Sequence, residues 1–183
     1  MNGHLKPVFE VLLPEIEKAH IDYWVYGGVS IAAYAGKFIR DNQDIDVFVK
    51  DIDFENAKSI LDKLCKQNDF KLRSDSRATE RPKIEIEIDN TERFSMIPIY
   101  EEGDKILFKY SDGNQKCPNQ ILERVERNIS GNRFFTPRDK FIKEMFINHI
   151  KARPDKRERD KIKKDAKTIL SPDELSVLGW TIE

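Results

Sequence analysis

The chain has 183 residues, 36% of them charged, and its basic and acidic side chains nearly cancel to a formal net charge of -1. That length allows one domain with a real core, or a main domain with a smaller appendage, and the charge balance excludes a global basic field that would gather nucleic acid or an anionic membrane. Cys65 and Cys117 are too few and too separated for a disulfide framework or a cysteine zinc site, the N-terminus is charged too often for a secretory signal, and no apolar run approaches the roughly 18 residues of a membrane span, so a cytoplasmic protein with no membrane partner is expected.

Val8, Leu12, Ile16 and Ala19 recur at helical spacing and predict an amphipathic helix over roughly residues 6–20. The apolar run up to Tyr26 reads as a strand. After Gly27 and Gly28, the alanine-rich stretch from Val29 predicts a helix that Gly36 ends. Asp44 to Val49 reads as a second strand, and residues 53–70 as a helix with Ala57, Ile60, Leu61 and Leu64 on its apolar face. Residues 83–89 alternate apolar and charged, and a turn-rich Asp89-Asn90-Thr91-Glu92 links them to a strand from Arg93 to Tyr100, which predicts a hairpin. Lys105 to Tyr110 adds a strand. Thr136 as N-cap, Pro137 in the first helical position and Asp139 in the third predict a helix whose apolar face carries Phe141, Met145, Phe146 and a packed His149. Trp24 and Trp180 read as packing residues. A charged helix and a short Ser-Pro-started helix close the chain. There is no internal repeat. This order predicts an α+β (or α/β) core with a mixed central sheet over residues 1–118, followed by a helical part over 119–183.

Two stretches carry chemistry. Two glycines after a strand let the backbone turn sharply, and the helix that follows offers unpaired N–H donors and a partial positive charge to an anion, with Ser30 adding a hydroxyl in its first turn. Asp44 and Asp46, at i and i+2 of a strand, share a face and repel each other unless a cation lies between them, while Ile45, Val47 and Val49 face the core. Hard divalent ions such as magnesium take carboxylates and phosphate oxygens as ligands, so a multiply charged phosphate compound and its metal suit both stretches at once.

The run from Tyr23 to Val49, with Gly-Gly, an alanine-rich helix, Gly-Lys, Arg40 and Asp-Ile-Asp, resembles the signature of the nucleotidyltransferase superfamily related to DNA polymerase β. It is most like that of the small lincosamide and aminoglycoside nucleotidyltransferases. The close match covers 27 residues. The resemblance implies the nucleotidyltransferase fold and transfer of a nucleoside monophosphate from a nucleoside triphosphate, with two magnesium ions, to a hydroxyl acceptor. Such an acceptor is a small molecule such as an antibiotic, or RNA or protein, although net charge does not indicate RNA. By resemblance Gly27, Gly28 and Ser30 hold the triphosphate and Asp44 and Asp46 the metals; Arg40 either contacts phosphate or pairs with the aspartates. A homodimer is implied in the same way.

A third carboxylate usually completes such a site, and here Ser95 stands where it is expected. Glu85, Glu87 and Asp89 share a face of their strand. A hairpin closed around residues 89–92 sets Glu87 opposite Ser95, so Glu87 is expected, ahead of Glu85, as the third catalytic and metal-binding group. An acidic solvent face of a half-buried hairpin is the other reading, and with it a nucleotide-binding or regulatory module that has lost turnover. The late segment with Lys151, Arg153, Lys156, Arg157, Arg159, Lys161, Lys163 and Lys164 is either a phosphate-binding basic helix or a solvated face of i,i+4 pairs. By resemblance Asp160 and Lys161 occupy the place of a pair that leans over the nucleotide.

Overall fold

The computed structural model describes residues 2–74, 82–110, 113–118, 122–152, 154 and 159–180. The N-terminal segment is helical and buries Val8, Leu12 and Ile16 as their spacing predicts, but it is wound unevenly: a 3-10 turn Gly3–Leu5, a π turn Val8–Leu12, then α1 Leu13–Lys18. Pro14 has no N–H for the carbonyl of Glu10 and its ring crowds that carbonyl, which the wider π turn accommodates.

Among the described residues, seven strands form one mixed sheet. Strand β1 (Tyr23–Tyr26) runs antiparallel to β2 (Ile45–Lys50), and between them lies helix α2 (Gly27–Tyr34). Gly36, with φ +69°, ends α2: its N–H donates to Ala33 and that of Lys37 to Ala32, the paired bonds that close a helix C-terminus. Helix α3 (Asp51–Asn68) and the short β3 (Lys71–Ser74) follow. Strand β4 (Ile84–Ile88) turns through Asp89 and Asn90, both at positive φ, into the twelve-residue β5 (Thr91–Glu102). Two positive-φ residues between paired strands make the tight hairpin that the sequence predicts. β5 runs parallel to β2 on one edge; on the other it pairs antiparallel with β4 and then with β6 (Lys105–Tyr110), which carries β7 (Gly113–Pro118). The order β1-β2-β5-β4-β3 places β2 and β5 inside the sheet.

One face of this sheet, with Val25, Ile45, Val47, Val49, Ile84, Ile86, Phe94 and Met96, packs on the N-terminal helix and α3. Trp24, Phe48, Ile97 and Ile99 face the other way, against Phe108 and Phe141. The part expected to be helical opens with a hairpin instead: β8 (Val125–Ile129) and β9 (Asn132–Thr136) turn through Ser130 and Gly131, and Phe134 is fully buried against Phe9. Thr136 therefore ends a strand and does not cap a helix. It is fully buried, its hydroxyl donates to the Pro137 carbonyl at 2.9 Å, and α4 begins at Asp139 and runs to Ala152. On α4 the buried stripe is Ile142, Phe146 and Ile150 with Phe141, and His149 is exposed, one position off the stripe that the spacing suggested. Helices α5 (Asp160–Ile169) and α6 (Pro172–Val177) pack with α4 on Ile31 of α2. Cys65 and Cys117 are both buried, and burial raises the Cys65 thiol to about 11. No helix among the described residues is long and apolar enough to cross a membrane.

Candidate active site

Tyr26, the last residue of β1, stands opposite Asp46 of β2, and its ring stacks on Phe48 with centroids 3.8 Å apart. The next residue turns the chain into α2. Gly27 has φ +68°, and a Cβ there would lie 2.6 Å from Asp46 Oδ2. A Cβ on Gly28 would lie 2.5 Å from Asn42 Oδ1 and against the Arg40 guanidinium. Both glycines are thus required by what flanks them, and the turn that opens α2 lies against the Asp46 carboxylate.

Three neighbouring strands set a row across the same face: Asp46 pairs with Ser95, and Ser95 with Glu85. Ser95, fully buried, donates its hydroxyl to Asp46 Oδ1 at 2.7 Å. The expectation for Glu87 is corrected here. The ladder slips between Ile86 and Glu87, so Glu85 lies opposite Ser95 while Glu87 lies opposite Glu92, and Arg93 is the extra residue of a bulge. Glu87 is held instead by Arg73 at 2.7 Å and Lys71 at 3.6 Å. The bulge restores Glu92 to the face of Glu85, and Lys83 Nζ joins the two at 2.5 Å and 3.5 Å. Arg93 pins the bulge by donating to the Gln43 carbonyl at 3.1 Å.

Electrostatics make this patch short of positive charge. Burial, and then the Asp44 charge, push Asp46 up to about 7 against the Ser95 hydrogen bond and Lys83. Burial also raises Glu92; Lys83 opposes this, and Glu85 and Asp44 add to it. Burial acts to lower Lys83, but its bond to Glu85 and the field of Glu92 outweigh that and raise it. Asp46, Glu85 and Glu92 thus share the Lys83 ammonium group, while Asp44 adds negative charge beside Asp46 and Glu92.

Residues 8–95 match the model of the aminoglycoside-2''-adenylyltransferase family. The crystal structure of ANT(2'')-Ia with adenylyl-2''-tobramycin superposes with a TM-score of 0.64 at 13% identity, covering 96% of this chain and 94% of that one. The lincosamide adenylyltransferase LnuA, solved with lincomycin bound, gives 0.57 at 19% identity over 90% of this chain and 97% of its own. No curated protein matches by sequence. The N-terminal stretch of this chain is thus similar in sequence to that family, and the whole chain is similar in fold to these enzymes. Its mixed α+β architecture is the fold of these enzymes.

The expected residues divide. Gly27 and Asp46 meet, with Gly28 next to them, and Asp44 is near enough for its charge to raise Asp46. Ser30 is 2% exposed and donates to the Gly27 carbonyl at 2.8 Å, closing the first turn of α2 from inside. Arg40 pairs with neither Asp44 nor Asp46: its Nε and Nη2 grip both oxygens of Asp165 in α5 at 2.7 and 2.8 Å. Lys161 is exposed on α5, four residues before Asp165 and so on the same side of the helix. Arg153, Lys156 and Arg157 lie outside the described residues. Sequence reading missed Lys83 and Glu92, because a bulge leaves no periodic signal.

Among the described residues no three acidic, imidazole or thiol groups are already gathered around one point. The donor chemistry is of the kind a hard cation takes: Asp46 and Glu92, with Asp44 acting on both, carry carboxylate oxygens in excess over the Lys83 charge.

Proposed function

We propose that this protein is a nucleotidyltransferase that moves a nucleoside monophosphate from a nucleoside triphosphate to a hydroxyl acceptor and releases pyrophosphate. The carrying observation is the contact between the Gly27 turn and Asp46, which sets an anion-binding helix start against a carboxylate in need of a cation. The backbone N–H groups at Gly27 and Gly28 cradle the triphosphate, and Lys161 approaches it from α5. Asp44, Asp46 and Glu92 hold the metal, Ser95 keeps Asp46 in one rotamer, and Lys83 holds Glu92 beside Glu85. Magnesium held there, two ions by the resemblance, would supply charge neutralisation to the triphosphate. The acceptor oxygen forms its bond to the α-phosphorus in line with the breaking bond to the β-phosphate, pyrophosphate leaves with the bridging oxygen, and the hydroxyl proton passes to water. We assign nucleotide chemistry to residues 1–118 and acceptor choice to 119–183, in a cytoplasmic protein that pairs as a homodimer. The acceptor is a small polyhydroxylated or amino-sugar compound, in keeping with the ligands held by ANT(2'')-Ia and LnuA.

A second reading, a nucleotide-binding module without turnover, is favoured by one observation: Ser95 fills the position opposite Asp46 while Lys83 is bound to Glu85. Pyrophosphate release decides between them. Each of the four ribonucleoside triphosphates is supplied with magnesium and, in turn, aminoglycosides, lincosamides and total RNA. Release that Asp46→Ala abolishes supports transfer, whereas nucleotide binding by calorimetry without release supports the second reading.

A further inference from the structure

Arg40, which the resemblance offers as a phosphate contact, is placed by the structure behind the Gly27–Gly28 turn. Its guanidinium lies where a Gly28 side chain would be, and its forked grip on Asp165 is largely enclosed, the two side chains being 15% and 2% exposed. Nη1 is taken up by the Asp41 carbonyl at 3.1 Å. The segment from Arg40 to Asn42 is held from the other side as well. Asn2 donates from its Nδ2 to the Arg40 carbonyl at 3.2 Å and from its backbone N–H to Asp41 Oδ1 at 3.0 Å, and its own Oδ1 accepts from the Asn42 N–H at 2.6 Å. His4 Nε2 lies 2.6 Å from the Asn42 carbonyl. Asn42 Oδ1, buried and without a hydrogen-bond partner, also faces the Gly28 position.

We infer that Arg40 is a positioning residue through which α5 sets the Gly27–Gly28 turn. The turn has no side chain of its own to fix it, so its shape is set by the wall behind it, and the wall is fixed where Arg40 meets Asp165. A bidentate pair resists displacement along and across its plane, which a single ammonium contact does not. The helices that close the chain and the start of α2 therefore shift together: an acceptor that orders α5 tightens the triphosphate site, and a triphosphate orders α5 to the same extent. This consequence for ligands rests on the proposed function; the mechanical link does not.

The test separates the two. In Asp165→Asn and Arg40→Lys, amide hydrogen exchange at Ile31 and Ala32, whose N–H groups make the first hydrogen bonds of α2 back to Gly27 and Gly28, is expected to accelerate about tenfold or more while the amides of β2 and β5 keep wild-type protection, since local opening reports local support. Nucleoside triphosphate affinity is expected to fall about tenfold in each, and the double variant to be no worse than either single one, as coupled residues behave. Unchanged exchange at Ile31 and Ala32 in both variants overturns the inference. So does an Asp165→Asn protein that binds triphosphate as well as or better than wild type, the behaviour of an arginine released to act as a phosphate ligand. Faster exchange in a wild-type background that binds no triphosphate at all leaves the link standing and removes the nucleotide reading instead.

Discussion

Gly27→Ala and Gly36→Ala impose the same backbone cost and differ in one contact. Both glycines sit at left-handed φ, +68° and +69°, but a Cβ at position 36 meets nothing within 4 Å while one at position 27 meets Asp46 Oδ2 at 2.6 Å. An L-residue in this region costs roughly 1–2 kcal/mol. For a chain of this size each kcal/mol lowers Tm by about 2–4 °C, so Gly36→Ala is expected to lose about 2–8 °C and to keep its nucleotide affinity. In Gly27→Ala the carboxylate cannot swing away freely, because Ser95 holds its other oxygen. The turn or Asp46 must therefore shift by several tenths of an ångström. Displacement on that scale is expected to reduce activity by about 10- to 100-fold, on the pattern that misplacing reacting groups by 1 Å costs two orders of magnitude. Scanning calorimetry gives Tm, and titration with each nucleoside triphosphate together with pyrophosphate release gives function. Equal behaviour of the two variants in both assays would refute the argument that Gly27 is glycine on account of Asp46.

Phe134→Ala opens a void beside Phe9 and is expected to cost about 3–5 kcal/mol, read as a fall in the denaturation midpoint; a loss below 1 kcal/mol would mean the β8–β9 hairpin is not part of the main core. For the carboxylates, Glu92→Gln is expected to weaken binding of manganese, used as a paramagnetic probe, by about tenfold, whereas Glu87→Ala, which breaks half-exposed ion pairs, leaves it unchanged and costs at most about 1 kcal/mol of stability. The reverse ranking would restore Glu87 to the site. The hydrogen bond from Lys143, then those from Ser171, hold Glu174 down to about 2. Its contribution is present above the ordinary carboxylate value and is lost as pH falls from about 4.5 towards 2, so wild-type Tm should drop more steeply there than that of Glu174→Gln. Parallel curves would contradict that assignment.

The Gly-Gly turn was legible because few side chains tolerate positive φ, and the strand that carries Asp46 because Ile45, Val47 and Val49 alternate with it. Gly36 and the Asp89–Asn90 turn were legible for the first of these reasons. What escaped has physical causes. β3, β7 and the β8–β9 hairpin are short and weakly alternating, although Ser130-Gly131 was a turn signal between two of them. On α4 the apolar residues at 141, 142, 145 and 146 support two stripes, and only packing chooses the one that leaves His149 outside. Asp165 lies 125 residues from Arg40, and no local pattern announces such a pair.

A strand counts its faces in twos. Three residues separate Ser95 from Glu92, which on a regular strand would turn the two to opposite sides, and the extra residue at Arg93 brings them back to one. A reading of β5 that counts its faces by alternation alone therefore puts Glu92 on the wrong side of the sheet, away from Ser95 and Glu85.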